Sequence, residues 1–179
     1  MLAMASKLLE MRTMTYEPAY ILTLKMDEVT QAFFEELRQR NFPSERNYLN
    51  AHLTLFHQLP PQPATISALV DFHFASFQLK ATGIKNLGNG VAYRMEAESL
   101  NQLHNKLKSM FVNQLSAQDS QGFRGHVTIQ NKVSLDQSKQ LLHELTANFK
   151  PFAAHALGLD LWEYLGGPWS HLHYFPFDS

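Results

Sequence analysis

The 179-residue chain has no cysteine, which excludes disulfides, thiolate metal sites and cysteine nucleophiles and is compatible with a reducing compartment. It also lacks an excess of either charge: 15 Lys and Arg stand against 16 Asp and Glu, for a formal net charge of −1. With no global basic field, long nucleic acid is not an expected partner, whereas a short RNA end or a single nucleotide needs no such field. Long apolar runs are missing too. No window approaches the length needed to span a bilayer, and Lys7, Glu10 and Arg12 interrupt the stretch where a signal peptide would need an unbroken apolar core. The expected location is therefore the cytoplasm, with no membrane association.

What is present suits a soluble globular protein: 45% of the residues are hydrophobic and 12% aromatic, enough for a sizeable core. Strong patterning begins near Tyr20, so residues 1–15 are expected to form a loosely attached extension. Residues 16–179 fit one domain or two small lobes sharing a core, and length alone does not choose between them.

Strands are expected at 20–25, 51–58, 77–87, 91–97, 125–131, 156–165 and 169–177, where β-branched and aromatic residues concentrate between turn signals. Gly88-Asn89-Gly90 joins the third and fourth of these as a hairpin. Helices are expected at 28–40 behind an Asp27 cap, at 63–71 from Pro63, from Ser99 to about 115, and from Ser134 to about 149. Ser99 with Gln102 and Ser134 with Gln137 have capping-box spacing. The core-facing stripes are Val29, Phe33 and Leu37; Leu100, Leu103, Leu107 and Phe111; and Leu141, Leu142 and Leu145.

No short-period repeat occurs, but one long echo does. A helix precedes a strand reading His-apolar-Thr-apolar, and another helix follows it, once around His52 and again around His126, 74 positions later. Because side chains alternate along a strand, His52, Thr54 and Phe56 are expected on one face with Leu53 and Leu55 on the other. Likewise Arg124, His126, Thr128 and Gln130 share a face opposite Val127 and Ile129.

If both strands border one groove, it holds two imidazoles, two hydroxyls and a guanidinium. That set fits phosphodiester cleavage, in which the attacking oxygen loses a proton on one side of phosphorus and the leaving oxygen gains one on the other. Two histidines with ordinary pKa values near ~6.5 can carry one proton and one vacancy near neutral pH. Threonine hydroxyls can donate to the non-bridging oxygens as charge builds in the transition state. No metal or cofactor is required by this chemistry.

The paired His52-Leu53-Thr54-Leu55 and His126-Val127-Thr128-Ile129 resemble the signature of the 2H phosphoesterases, which include 2′-5′ RNA ligase-like proteins and cyclic nucleotide phosphodiesterases. The closing WEYLGGPWSHLHYFPF is similar to the end of bacterial 2′-5′ RNA ligase-like members. The resemblance implies an α+β fold of two pseudo-symmetric lobes, each mainly antiparallel sheet flanked by helices, with the active groove between them. It further implies cleavage of 2′,3′-cyclic phosphates or 2′-5′ linkages, with His52, Thr54, His126 and Thr128 as the catalytic quartet and a small nucleotide or RNA terminus as substrate. Ligation would be the same chemistry run backwards, and a monomer is expected.

Other residues have weaker claims. Arg124 could clamp a phosphate as a bidentate donor, or simply reach into water. Tyr164 and Trp169 bracket a Gly-Gly-Pro turn and could stack on a base, or pack at a rim. His57, His155, His171 and His173 invite a zinc reading, which lacks an HExxH pattern and has few acidic partners nearby. Two rivals to catalysis by paired histidines follow: a module that binds RNA ends or nucleotides without turnover, and a metal-dependent hydrolase built on the C-terminal histidines.

Overall fold

Asp27 starts the first helix as its position suggests. Its carboxylate accepts from the Thr30 amide at 2.9 Å and from the Thr30 hydroxyl at 2.8 Å, satisfying a donor that the first turn leaves open. The computed structural model describes residues 17–179, so the extension expected at 1–15 lies outside the described residues. In chain order the elements are β1 (Tyr20–Met26), α1 (Glu28–Asn41), β2 (Leu53–Leu59), α2 (Pro63–Val70), β3 (Phe77–Asn86), β4 (Val91–Glu96), α3 (Glu98–Met110), β5 (His126–Gln130), α4 (Leu135–Asn148), β6 (Phe152–Tyr164) and β7 (Trp169–Pro176).

Every pairing between these strands is antiparallel, giving the expected α+β architecture. The long strand β6 is its spine. One edge of β6 pairs with β1, and the other edge pairs first with β3 and then with β7. The strand order is β1-β2-β5-β4-β3-β6-β7, and the added β1–β6 pairing closes the sheet upon itself. One lobe comprises β2, β1, β6 and β7; the other comprises β5, β4 and β3. Along one margin they are joined by the β3–β6 ladder, but β2 and β5 meet through a single pair, Leu53 opposite Val127. The groove expected between the lobes borders that narrow seam.

Leu22, Leu53, Phe34, Phe56, Leu103, Leu107 and Val127 are fully buried in one continuous core. Burying each of these side chains is worth roughly 1.5–3 kcal/mol. On α1 the stripe differs from expectation: Thr30, Phe34 and Arg38 face inward, while Val29 is 82% exposed and Phe33 is half-exposed against Phe34, Tyr93 and Phe152. The stripe is rotated by one residue, with Phe34 filling the core and the Arg38 donors met by three acceptors inside the fold.

The capping box forms at Ser134, where Gln137 closes it reciprocally. At Ser99 it does not form. The third helix starts one residue earlier, at Glu98 after Ala97, and the Gln102 amide donates to the Glu98 side chain. That helix also ends at Met110, with a short 3-10 turn over Val112–Gln114 in place of its last expected turn. No described helix is long and apolar enough to cross a membrane.

Candidate active site

His52 and His126 are held in the same way. The His52 Nδ1 lies 2.7 Å from the carbonyl oxygen of Asn50, and the His126 Nδ1 lies 2.9 Å from that of Arg124. A carbonyl can only accept, so Nδ1 carries the proton in each ring and Nε2 remains the atom free to exchange one. Each imidazole is thus oriented by the carbonyl two residues before it, once in each half of the chain.

The strands repeat a second device. The register between β1 and β2 shifts between Thr54 and Phe56, and that between β4 and β5 shifts between Thr128 and Gln130. Each motif strand therefore carries a bulge just after its threonine, and the alternation of faces is reset there. This corrects two expectations. Phe56 does not share the face of His52 and Thr54; it is fully buried and stacks on His104 at 4.7 Å. Gln130 does not share the face of His126; it is buried, and its Oε1 has no hydrogen-bond partner among the described residues. The first bulge also turns His57 outward, near enough to both motif histidines for its charge to disfavour theirs. His57 is itself tied by Nδ1 to Oδ1 of the buried Asp119 at 3.2 Å.

Helix α1 positions the first histidine. Gln31 Nε2 donates to the Ala51 carbonyl at 2.8 Å, and the Ala51 amide donates to Glu35 at 2.7 Å, which clamps the residue before His52. One turn on, the buried Arg38 donates to Asn47 Oδ1, to the Leu49 carbonyl and, across the seam, to the Thr128 carbonyl at 2.9 Å. Arg38 therefore links the loop before one motif to the strand of the other. Gly125 serves the second histidine: a Cβ there would lie 2.8 Å from the Met95 carbonyl, so only glycine lets the chain pass this close before His126.

Burial lowers both imidazoles from the ordinary value. His52 is pushed down to about 4, by burial first, with Arg38, His57 and His126 adding repulsion against the Asn50 carbonyl, which raises it. His126 is lowered by burial, with Lys85 and His57 acting in the same direction and the Arg124 carbonyl opposing.

The two ends of the groove differ in chemistry. Beside His52 is a cavity of ≈600 Å³ whose walls include Tyr48, Trp162, Trp169 and Tyr174. The Trp169 ring lies 4.7 Å from that of His52. Beyond His126, Lys80, Lys85, Arg94 and Arg124 line a cleft of ≈840 Å³, and Lys85 is lowered by burial and by the charges of Arg124 and Arg94. Among the described residues none of these four cations has an ion pair with a carboxylate. Arg94 sits directly opposite His126 in the ladder, so the two side chains share a face.

Of the weaker candidates, Trp169 is therefore at the site and Arg124 flanks it, while Tyr164 lines a separate hollow of ≈470 Å³ with His57 and Trp169. The four histidines of the zinc reading are not brought together. His57 bonds Asp119, His171 bonds Asp160 at 2.8 Å, and the His155 amide donates to Asp27. Arg38, Lys85, Arg94 and Asp160 were not singled out in the sequence. A helical i, i+4, i+8 stripe through Thr30, Phe34 and Arg38 was the available signal for the first of them.

A family model described as the 2′-5′ RNA ligase superfamily matches residues 26–168. E. coli LigT complexed with 3′-AMP has a similar fold, with a TM-score of 0.60 at 18% identity over 91% of this chain and 100% of that one. The TT0787 protein of Thermus thermophilus gives 0.62 at 16% identity, covering 89% and 97%. A structure described as a phosphoesterase gives 0.62 at 17% identity, covering 91% and 100%. Comparison with curated protein sequences finds no match.

Proposed function

The chain belongs to the 2′-5′ RNA ligase superfamily, and on that premise we propose that it is a metal-independent phosphoesterase acting on 2′,3′-cyclic phosphates or 2′-5′ linkages of small nucleotides or RNA ends. The observation that carries this reading is the matched pair of imidazoles, each fixed at Nδ1 by a carbonyl and free at Nε2, with a threonine two residues on. E. coli LigT was solved with 3′-AMP, and a nucleoside monophosphate is a ligand of the size that the aromatic cavity beside His52 accommodates.

Seating the nucleoside in that cavity assigns the proton transfers. The ribose oxygen then leaves on the His52 side, and water attacks phosphorus from the His126 side. His126 Nε2 takes a proton from the water as its oxygen bonds to phosphorus. Charge on the non-bridging oxygens is met by the hydroxyls of Thr54 and Thr128. The bond from phosphorus to the ribose oxygen breaks, and His52 Nε2 gives that oxygen its proton. One water is consumed, and the second proton transfer offsets the first. A ribose hydroxyl attacking the cyclic phosphate in place of water, through the same steps, gives ligation.

The free-state acidities alone favour the opposite roles, since His52 is held at about 4. The cavity outweighs them. A bound phosphate anion favours the protonated form of both rings, whereas the side on which the ribose lies is set by the walls.

The test is turnover of 2′,3′-cyclic nucleotides in the presence of a chelator. His52→Ala and His126→Ala are each expected to stay folded and lose roughly 10²-fold or more, the scale of a general acid or base. Near-native turnover in either variant ends the paired-histidine reading. A 4-nitrophenyl phosphodiester, whose leaving group needs no proton, should restore much of the rate to His52→Ala and little to His126→Ala. The reverse pattern exchanges the two roles.

A further inference from the structure

A carboxylate lies at the floor of the cavity beside His52, and the reaction proposed above does not use it. Asp160 is only 7% exposed, yet its side chain lines this cavity. Its Oδ1 is bonded by His171 Nε2 at 2.8 Å. Its Oδ2 is 4.0 Å from Lys25 Nζ, beyond hydrogen-bond reach, and nothing among the described residues donates a hydrogen bond to it. That leaves an accessible carboxylate oxygen on the cavity wall, with acceptor capacity that a donating ligand can fill.

The ladder places this oxygen at a particular distance from the chemistry. Thr54 on β2 faces Thr23 on β1, and Thr23 faces Asp160 on β6. Cross-strand partners share a face, so Thr54, Thr23 and Asp160 form one row across the groove side of the lobe. Two interstrand steps of ~4.8 Å put Asp160 roughly 10 Å from Thr54, comparable with the distance from a nucleotide's phosphate to the far edge of its base. Between them, the Thr23 hydroxyl accepts from Trp162 Nε1 at 2.9 Å, which fixes the indole beside the row. The walls carry aromatic rings: Trp162 and Trp169 lie 6.3 Å apart with their planes tilted by 54°, and the His171 ring stands edge-on to Trp162 at 4.8 Å.

We infer that this cavity is a base-selecting pocket in which Asp160 recognises guanine. The inference rests on the reading of the groove given above and adds the identity of the nucleoside. Guanine is the base whose pairing edge carries two adjacent donors, N1–H and the N2 amino group, and a carboxylate offers only acceptors. Adenine would turn its N1 lone pair, and cytosine its N3 lone pair, toward the same oxygens, while uracil has one donor between two acceptors. Stacking on a tryptophan face is indifferent to sequence, so discrimination falls to the polar groups of the wall, of which Asp160 is the carboxylate. His171 acts as a positioning residue by holding the carboxylate in the plane of the base.

The experiment is calorimetric binding of 3′-GMP, 3′-AMP, 3′-CMP and 3′-UMP to the full chain, beside kcat/KM for the four 2′,3′-cyclic nucleotides. Wild-type protein is expected to bind 3′-GMP at least about tenfold more tightly than 3′-AMP or 3′-CMP, the scale of one charge-assisted hydrogen bond. In Asp160→Asn the guanine preference should disappear and adenine should gain, because an amide can donate to N1 and accept from N6. A flat wild-type profile, or a guanine preference that survives Asp160→Asn, overturns the inference. If Asp160→Asn fails to fold, the wild-type profile decides alone. Four nucleotides bound and turned over equally would overturn the base selection and leave the phosphoesterase reading intact, whereas neither binding nor turnover of any of them would overturn both.

Discussion

His104 lies inside the core with its ring between two phenylalanines, 4.7 Å from Phe56 at 5° and 4.1 Å from Phe123 at 10°. It is 4% exposed and is pushed down to about 4, chiefly by burial, with Lys108 adding repulsion and the Leu55 backbone opposing. In the unfolded chain the same group titrates near its ordinary value of 6.5. Between those two values the unfolded state binds the proton that the folded state refuses, so stability rises with pH across the window and is lost as pH falls through it. A fall from 6.5 to about 4, at 1.36 kcal/mol for each pH unit, amounts to about 3 kcal/mol, all present above pH ~6.5 and gone below pH ~4. The perturbation is His104→Phe, which extends the stack of rings and removes the titration. Urea midpoints measured at several pH values from about 7.5 to about 4 should show the wild type losing markedly more stability than the variant. His52 and His126 act in the same direction in both proteins, so the difference between the two curves isolates His104. Parallel curves would refute the reasoning.

The other predictions concern the groove. Below both imidazole pKa values the base is missing and above both the acid is missing, and in the free protein both values lie below 6.5. The kcat/KM profile should therefore be a bell with its maximum on the acid side of pH 6.5, its limbs belonging to the coupled pair and unchanged by a chelator. A plateau extending above about pH 8, or activity lost in chelator and restored by zinc, would contradict it. Arg38→Met keeps the stem but removes three hydrogen bonds from a buried cation. After allowing for the desolvation it saves, the loss should be about 3 kcal/mol. At about 2–4 °C per kcal/mol that lowers Tm by roughly 6–12 °C in calorimetry, and an unchanged Tm would show that the link across the seam contributes nothing.

Much of the layout was legible because each element advertises itself locally. Strand-forming runs, the Asp27 and Ser134 caps and the Gly88 turn all appear where the spacing put them. The two motifs were legible as well, since a histidine and a threonine on the polar face of an otherwise apolar strand stand out. What escaped depends on pairing between distant segments. A bulge is set by the partner strand, and Leu55-Phe56 reads equally well with or without one, so the outward turn of His57 could not be placed. Arg38 looks like any surface arginine until the Thr128 carbonyl, 90 residues away, supplies its acceptor. Ser99 has the spacing of a capping box, but the chain enters that helix from β4 with Ala97 extended, so the helix has begun before the serine is reached. Asp160 is one acidic residue in an apolar strand, and only the ladder shows that it stands in line with Thr54.

The single rung between Leu53 and Val127 has a mechanical consequence. His52 and His126 are the immediate neighbours of that rung, so a rotation of one lobe about an axis through the rung and the β3–β6 ladder would leave both close to the axis. Displacement grows with the lever arm. Such a rotation would barely change the gap between the two imidazoles, while Lys85, near the tip of the β3–β4 hairpin, would sweep much further. The distance between the two imidazoles would thereby be insulated from the width of the mouth, so that substrates of different bulk could be admitted without detuning the proposed catalytic pair.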